Sequence, residues 1–479
     1  MSAGDEALHV ELHESAEAGD ADGPPRFQAP WTTYLPSARS REARAAFATL
    51  GRQPVRLSEC EARIHDEHGV EELARFHLDL AALLHGRLVR IGVRSASTPD
   101  GPRVAALEST GFGFRPVLPP LPDGCRFRLS RFSSVRRDPE AGLVLESPLA
   151  HARLHLGAPA GAVVHALADG VPAAALRAGG GLSEDEVAAL LRLVVAAGVG
   201  GVVDASGALA EDRDAMLRQW EFHDLLFHAR SRAGRHGGPI GGRFRFLGEL
   251  PPQPAVKVTG WPMAALLPRP DLLSAMVDDP PLAHVMERRR STRLLAGPPV
   301  TLDDLGEFLY RVARVRSRFA AGDIGEFTSR PYPSGGASYE LELYANVGDH
   351  GPVAPALYWY DPVEHGLRLV RPADHETRAL AHDAHIATAE QAWPQILFVV
   401  AARFQRVSWK YDAMAYATIL KNTGVLYATM YLVATAMGLA ACALGTGDSD
   451  RFARIARTRY VEETSVGEFM LCGGRGSAA

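Results

Sequence analysis

The sequence predicts an α+β protein of several domains, in which a carboxy-terminal α+β domain follows one or more smaller modules. The chain has 479 residues, more than one ordinary domain contains. Segments that alternate apolar and polar residues, as half-buried antiparallel strands do, stand beside segments with helix-start signals. Hydrophobic residues make up 47% of the chain and charged residues 22%, which is enough apolar material for a large core.

The first 120 residues are the hardest part of the chain to interpret. Residues 1–25 are acidic and contain no Lys or Arg, so we expect a disordered tail. They also lack the basic start and apolar core of a secretory signal. Residues 26–120 are predicted to form an α/β module, with helices at 40–50 and 70–84 and a strand at 88–93.

Residues 121–215 are predicted to form a winged-helix-like, peptide-clamp domain. Alternating strands are expected at 126–134, 142–146 and 152–156, a helix at 162–168, and a returning strand at 199–203. Ser183 and Glu186 have capping-box spacing and open a helix that reaches Ala197. That helix has only Arg192 as a base, and the net charge is −5, so DNA binding is disfavoured. Peptide binding by strand addition is preferred, and a purely structural domain stays open.

Residues 216–268 are predicted to be a helix, at 220–232, and a linker, in which residues 230–254 are rich in Gly, Pro and Arg. The arginines of the linker are either solvated or contact an acidic peptide; they are Arg230, Arg232, Arg235, Arg243 and Arg245. His223 and His228 are five residues apart, unlike the i,i+4 spacing of helical metal ligands. We therefore predict no metal site.

Residues 269–479 are predicted to form one α+β domain. Helices are expected at 282–290 and 301–315, a strand at 339–347, a hairpin at 357–370, and strands at 395–402 and 467–472. Residues 422–447 contain no charge and could span a bilayer in length. Their Ala-, Thr- and Gly-rich composition instead favours a buried core helix that stops at Gly438, so no membrane span is predicted.

The four cysteines are widely spaced and form no CxxC pair; they are Cys60, Cys125, Cys442 and Cys472. This pattern disfavours a zinc ribbon and a disulfide framework, and a reducing cytoplasm fits it best.

Three segments contain residues suited to chemistry. Arg289, Arg290, Ser291 and Arg293 form a compact anion receptor, because guanidinium groups bind phosphate bidentately. The sequence Pro333-Ser334-Gly335-Gly336 either makes a tight turn or lets the backbone approach a flat ring. The pair Lys410-Tyr411 could supply a base, since a partly desolvated lysine near another cation has a lowered pKa.

Five segments in this order resemble the flavin-dependent nitroreductase fold; they are RRSTR (289–293), RPYPSGGASYELELY (330–344), WKYDAMAYATILKNTG (409–424), MGLAACALGTGD (437–448) and FMLCGGR (469–475). More narrowly, they resemble the SagB-type peptide dehydrogenases, which oxidise azolines to azoles in thiazole/oxazole-modified peptides. The resemblance covers residues 217–475, and residues 125–204 are more loosely similar to the peptide clamp of such oxidases.

The resemblance implies an FMN cofactor. Its phosphate would be held by Arg289, Arg290, Ser291, Arg293 and Arg475, and its ring would lie against Pro333, Ser334, Gly335, Gly336, Leu444 and Gly445. It implies that Lys410 and Tyr411 abstract a proton from the azoline while the flavin takes a hydride, and that molecular oxygen reoxidises the flavin. It also implies a homodimer, an azoline-containing precursor peptide as substrate, and a cyclodehydratase as partner.

Two alternatives remain open at this point. One is a general NAD(P)H-dependent nitro or quinone reductase on the same fold, and the other is a non-catalytic peptide-binding protein. A P-loop and a GxGxxG that follows a strand are both missing from the sequence, so a nucleoside-triphosphate or Rossmann enzyme is unsupported.

Overall fold

The computed structural model of the protein describes residues 5–19, 25–37, 39–95, 101–111, 113–115, 117–122, 124–178, 181–293 and 297–474. The chain folds into two compact units, Met1–Pro239 and Ile240–Ala479. The division falls inside the predicted helix-and-linker segment 216–268, so the two parts of that segment belong to different units.

The amino-terminal unit contains thirteen strands in its described residues: β1 Leu8–Leu12, β2 Glu17–Ala18, β3 Phe27–Ala29, β4 Thr32–Tyr34, β5 Val55–Arg56, β6 Val89–Arg94, β7 Arg103–Ser109, β8 Arg126–Leu129, β9 Ser134–Asp138, β10 Gly142–Glu146, β11 Ala152–Leu156, β12 Val171–Pro172 and β13 Gly200–Val202. Seven of them form an antiparallel sheet in the order β5-β1-β6-β7-β11-β10-β9. Two three-stranded sheets, β2-β3-β4 and β12-β8-β13, complete the set.

The α-helices of this unit are α1 Arg41–Leu50, α2 Leu57–His85, α3 Ala160–Ala166, α4 Glu184–Ala196, α5 Ala210–Arg213 and α6 Phe222–Arg230. The predicted capping box is confirmed: Ser183 N donates to Glu186 Oε2 at 2.8 Å, and Glu186 N donates to Ser183 Oγ at 3.3 Å. Apolar side chains of α2 and α4 pack with alternate residues of β1, β6 and β7 in one core.

The other alternate residues of these strands form a buried ionic network around Glu108. Its carboxylate accepts hydrogen bonds from Arg90 Nη2 at 2.8 Å and Arg153 Nη2 at 3.1 Å, and it lies 2.6 Å from His155 Nε2. Burial alone would raise the pKa of Glu108, but His13, His155 and the two arginines together hold it far below its usual range. Glu108 is therefore ionised and compensated inside the fold.

Two sequence predictions for this unit are wrong. Strand β1, at Leu8–Leu12, lies inside the predicted disordered tail and pairs with β5 and β6, so these five residues are ordered. Strand β7 pairs with β11, so the predicted boundary at 120/121 cuts through one sheet. The predicted winged-helix-like module at 121–215 therefore shares its main sheet with the residues before it.

The carboxy-terminal unit contains eleven strands in its described residues: β14 Gly241–Gly242, β15 Met263–Leu266, β16 Ser317–Ala320, β17 Glu326–Ser329, β18 Leu341–Val347, β19 Ala356–Asp361, β20 Gly366–Pro372, β21 Ile396–Arg403, β22 Tyr411–Asp412, β23 Ala440–Leu444 and β24 Glu463–Cys472. Its main sheet is antiparallel, in the order β15-β20-β19-β18-β21-β24-β23. The predicted strands β18, β21 and β24 and the β19–β20 hairpin are confirmed.

The helices of this unit are α7 Leu272–Asp278, α8 Leu282–Arg288, α9 Leu302–Ala313, α10 His375–Ala387, α11 Gln405–Ser408, α12 Ala415–Ala436 and α13 Ser449–Ala456. Helices α9 and α12 pack on one face of the main sheet, and α10 and α13 pack on the other. The sheet is therefore buried on both faces, since β18 and β21 contribute alternate side chains to each core.

The prediction of a buried helix in the uncharged segment 422–447 that stops at Gly438 is right about its end, and the strand that follows was not predicted. Helix α12 begins earlier, at Ala415, and ends at Ala436, and residues 440–444 form strand β23 instead. One ridge of α12 is exposed at Tyr416, Leu420, Gly424 and Ala428. Among the described residues, the helices are all too short or too polar to cross a membrane.

Candidate active site

Lys410 and Tyr411 lie together at the end of the central strand β21. The chain leaves β21 at Arg403, makes the short helix α11, and then places Lys410 immediately before β22. The Lys410 Nζ atom donates a hydrogen bond to the carbonyl oxygen of Gly336 at 3.1 Å. Three aromatic rings surround this ammonium, with Phe244, Phe327 and Tyr411 at 5.3–5.6 Å from ring centroid to nitrogen.

Burial lowers the pKa of Lys410, and the neighbouring Arg406 lowers it further. Arg406 is itself 8% exposed and donates to carbonyl groups, with Nη1 at 2.7 Å from Gln253 O and Nη2 at 2.9 Å from Ser338 O. Burial lowers the pKa of Arg406 to about 10, with Arg403 and Arg330 adding to the effect. The lysine therefore lies in a positive environment that favours its neutral amine.

The pKa of Tyr411 is shifted in the opposite direction from that of Lys410. Burial raises the pKa of its hydroxyl, and the carboxylate of Glu340 adds to the effect. The phenol is therefore protonated at neutral pH and can donate a hydrogen bond beside the lysine amine.

The glycines of the Pro333–Gly336 segment make this arrangement possible. Gly336 has a left-handed backbone with φ of 59°. A Cβ atom added to Gly336 would lie 2.5 Å from Lys410 Nζ and closer still to the Tyr411 hydroxyl. Only glycine leaves room for both side chains, so the backbone here forms a cradle for the lysine amine and the tyrosine hydroxyl.

A buried polar network fixes this segment to α12. Asn422 Oδ1 accepts from Gly335 N at 3.0 Å, and its Nδ2 donates to Ser334 Oγ at 3.1 Å and to Glu340 Oε1 at 2.8 Å. Burial raises the pKa of Glu340, although Asn422 and Ser334 oppose the shift. Sequence reasoning missed Asn422 and Glu340; a polar amide within an otherwise apolar helix was the available signal.

The arginine segment lies against strand β23 and the second half of α12. Thr292 N donates to Ala441 O at 2.8 Å, and Ser291 Oγ lies 2.8 Å from Tyr431 Oη, which also accepts from Ala443 N at 2.7 Å. The Arg289 guanidinium stacks over the Tyr431 ring at 5.3 Å. The side chains of this segment are exposed and can bind an anion; they are Arg289, Arg290, Ser291 and Arg293. Tyr431 was also missed from the sequence.

The remaining predicted cofactor residues lie near these two groups or outside the described chain. Leu444 is buried at the end of β23, and Gly445 follows it in an exposed turn. Pro333 is exposed at the start of the glycine segment. Arg475 lies outside the described residues, which end at residue 474. Near that end, Gly473 N donates to Gln395 Oε1 at 2.7 Å.

The lysine group and the arginine group contact opposite sides of α12 within one chain. Asn422 holds the first group and Tyr431 the second. Nine residues separate them, which is about 14 Å along an α-helix and about half a turn around its axis. One copy of the chain therefore presents two half-sites on different faces of the helix.

Part of the predicted linker belongs to this site, which corrects the interpretation of residues 230–254 as a connector. Strand β14 pairs with β22, so Gly242 lies opposite Tyr411. Arg245 Nε lies 3.3 Å from Asp412 Oδ1. The carboxy-terminal half of the linker is thus built into the carboxy-terminal unit.

Comparison with known proteins agrees with this architecture. Residues 286–473 match the model of the nitroreductase family, and residues 127–237 match that of the cyanobactin oxidase ThcOx. A nitroreductase homologue of Methanocaldococcus jannaschii, MJ1384, is 30% identical over 172 residues, which cover 35% of this chain and 80% of the relative. The chain belongs to the nitroreductase family, and its carboxy-terminal unit is an oxidoreductase domain.

Among other similar proteins is the microcin B17-processing protein McbC of Escherichia coli. It is 27% identical over 158 residues, which cover 32% of this chain and 56% of McbC. The E. coli microcin synthetase McbBCD complex with truncated pro-MccB17 gives a TM-score of 0.32 at 18% identity, covering 46% of this chain and 79% of its own. A nitroreductase from Desulfovibrio desulfuricans, solved in complex with FMN, gives a TM-score of 0.27 at 15% identity, and the match covers 42% of this chain and 91% of that protein. The matches to the two family models and to McbC confirm the resemblance to peptide oxidases of the nitroreductase superfamily.

Proposed function

We propose that this protein is an FMN-dependent oxidase that converts thiazoline or oxazoline rings of a ribosomally made peptide into thiazoles or oxazoles. The observation that carries the proposal is the convergence of the Lys410 amine and the Tyr411 hydroxyl on Gly336. The matches to a cyanobactin oxidase and to a microcin-processing protein support a peptide as the substrate.

Oxidation of an azoline removes a proton from one ring carbon and a hydride from its neighbour. When bound, FMN would supply the hydride acceptor. Lys410 receives the proton, because burial and Arg406 favour its neutral form before the reaction. Tyr411 keeps its proton and orients the ring through its hydroxyl. The aromatic side chains around Lys410 leave its amine partly buried, which disfavours the charged form.

The residues present fit a flavin mononucleotide. Three exposed arginines and Ser291 supply cationic and hydroxyl donors for a phosphate. The ring would lie against Gly335 and Gly336, as the resemblance implies. We assign Arg475 to the phosphate, and Pro333, Ser334, Leu444 and Gly445 to the ring, as the resemblance implies.

A homodimer would complete the cofactor site, because the half-sites lie on opposite faces of α12. The exposed ridge of α12 is made of small or apolar residues, and most of α7 is exposed, with Leu273, Met276 and Val277 at 76–83%. Exposed apolar side chains on these two helices are suited to an interface with another protein. A second copy that packs here would bring the arginine segment of one chain to the glycine segment of the other.

The amino-terminal unit, which contains the whole of the cyanobactin-oxidase match, is the proposed binding site for the precursor peptide. A cyclodehydratase is the proposed partner, because a reaction that closes azoline rings must precede their oxidation. All four cysteines are free thiols, in keeping with the proposed cytoplasmic location.

The test is to purify the chain, measure bound flavin by absorbance, and treat an azoline peptide. Mass spectrometry should show a loss of about 2 Da per ring, the mass of the two hydrogens removed. Lys410→Ala should retain flavin and lose the reaction, while Lys421→Ala, at an exposed lysine on α12, should keep it.

Each failure has a distinct meaning. A colourless protein that takes up no flavin contradicts the enzyme proposal. Rapid bleaching by NADPH without azole formation identifies the general reductase. Peptide binding by a flavin-loaded protein that never oxidises an azoline identifies the non-catalytic alternative.

A further inference from the structure

Residues 241–253 lie outside both family matches, because the first match ends at residue 237 and the second begins at residue 286. The segment is nevertheless hydrogen-bonded to the residues around Lys410. Arg243 N and Phe244 N both donate to Lys410 O, at 3.0 and 3.1 Å. Further along, Trp409 Nε1 donates to Leu250 O at 2.8 Å. We call residues 241–253 the strap.

Backbone pairing and a buried arginine hold the strap at both ends. At its start, β14 pairs with β22 beside Tyr411. At its end, Arg406 Nη1 donates to Gln253 O at 2.7 Å. The strap is thus fixed directly to the helix and the strand that flank the proposed base.

Phe244 is the strap residue whose ring faces the lysine amine. Its backbone is left-handed, with φ of 53°, which a non-glycine residue adopts only where the surroundings impose it. The ring centroid lies 5.4 Å from Lys410 Nζ, and the edge of the ring meets Trp409 at 5.8 Å between centroids. Phe327 and Tyr411 form the other walls, and Gly336 O accepts the hydrogen bond of the amine.

We propose that the strap is part of the oxidase site and that Phe244 is a positioning residue, which holds the Lys410 amine against Gly336 and away from water. The inference rests on the proposed role of Lys410 as the base. It adds to the site a segment that neither family match contains.

The charges around the amine come from five places. Helix α11 contributes Arg406, and β22 contributes Asp412, which pairs with Arg245. The strap also contributes the exposed Arg243. The remaining two charges are Glu340, near Tyr411, and Glu326, which pairs with Arg318 at 2.8 Å. Phe244→Ala changes none of these charges and admits water, so the pKa of Lys410 should rise toward its ordinary value.

The chain offers a direct measurement, because it contains only three lysines: Lys257, Lys410 and Lys421. Acetic anhydride modifies neutral amines, so the extent of labelling of each lysine against pH follows its titration. The experiment labels the full-length, flavin-loaded protein over a pH series and quantifies the three lysine peptides by mass spectrometry. Exposed Lys421 is the internal reference.

In Phe244→Ala the labelling midpoint of Lys410 should move to higher pH, and kcat for azoline oxidation should fall about 10- to 100-fold with little change in KM. Phe244→Leu keeps an apolar side chain, so its labelling midpoint and its kcat should lie between those of the wild type and those of Phe244→Ala. Phe246→Ala is the matched control, since its ring stacks on Arg245 at 4.5 Å within the same strap.

An unchanged Lys410 midpoint in Phe244→Ala, or an equal shift in Phe246→Ala, overturns the inference. The labelling needs no azoline substrate. A wild-type protein that fails to oxidise azolines would therefore overturn the proposed function, and the labelling would still decide whether Phe244 positions the amine.

Discussion

Gly336→Ala tests the proposed site at its narrowest point. The added methyl group would lie 2.5 Å from Lys410 Nζ and 3.2 Å from Lys410 Cε. Unstrained contacts between such atoms need about 3.5 Å or more, so the amine must move by about 1 Å. That displacement breaks the 3.1 Å hydrogen bond to Gly336 O and moves the base away from the cradle.

Two costs of this substitution can be separated. A left-handed alanine costs about 1–2 kcal/mol, which lowers the melting temperature of a domain of this size by about 2–8 °C. A base misplaced by about 1 Å can cost about 100-fold in rate. The assay measures azole formation by mass spectrometry, together with flavin content and melting temperature.

Gly322→Ala is the matched control. Gly322 has nearly the same backbone, with φ of 56°, and an added Cβ would have no other atom within 4 Å. It should lose similar stability and keep its activity. Equal turnover by Gly336→Ala and Gly322→Ala would refute the placement of the reacting groups at Gly336.

Two further predictions concern the cofactor and the amino-terminal unit. Tyr431→Phe removes the hydroxyl that joins the arginine segment to β23, at about 0.5–1.5 kcal/mol per hydrogen bond, so the FMN Kd should rise up to about tenfold. Tyr427→Phe is the control, because the buried Tyr427 hydroxyl has no hydrogen-bond partner among the described residues. If fluorescence titration gave the same FMN Kd for Tyr431→Phe and Tyr427→Phe, the prediction would be contradicted. Glu108→Gln removes the buried carboxylate that pairs with buried Arg90 and half-buried Arg153, and it should cost about 3–5 kcal/mol in urea unfolding at pH 7, whereas the exposed Glu140→Gln should cost little. Because the pKa of Glu108 is lowered in the folded protein, the stability that Glu108 contributes is present above the ordinary carboxyl pKa of about 4.3 and is lost as the pH falls below that value. If the free energy of unfolding fell in the same way with decreasing pH in wild type and in Glu108→Gln, this stabilising role of Glu108 would be excluded.

Local patterns predicted those elements whose formation depends on neighbours in sequence. The helix predicted at 301–315 forms as α9, with Thr301 as its N-cap, and β10 and β11 have the predicted bounds. Strand β23 was missed because its residues, Ala440–Leu444, are small and apolar and suit a helix equally well. They form a strand because β24 lies alongside and supplies backbone partners.

The amino-terminal tail was mispredicted for a related reason. Strand β1 is short and lies in an acidic segment, so composition favoured disorder. Its stability comes from β6, about eighty residues later, which pairs with every residue of β1. Composition cannot report a partner at that distance.

The sequence by itself determined the chemistry available to this protein: an arginine and hydroxyl cluster for an anion, a glycine segment for a close approach, and a lysine–tyrosine pair for proton transfer. Only the tertiary structure decided how these parts combine. It placed Lys410 against Gly336, enclosed the amine with rings from residues 244 and 327, and put the arginine and lysine groups on opposite faces of α12. The reason is physical: side-chain type is a local property, whereas burial, pKa and distance depend on backbone pairings and packing between residues far apart in the chain.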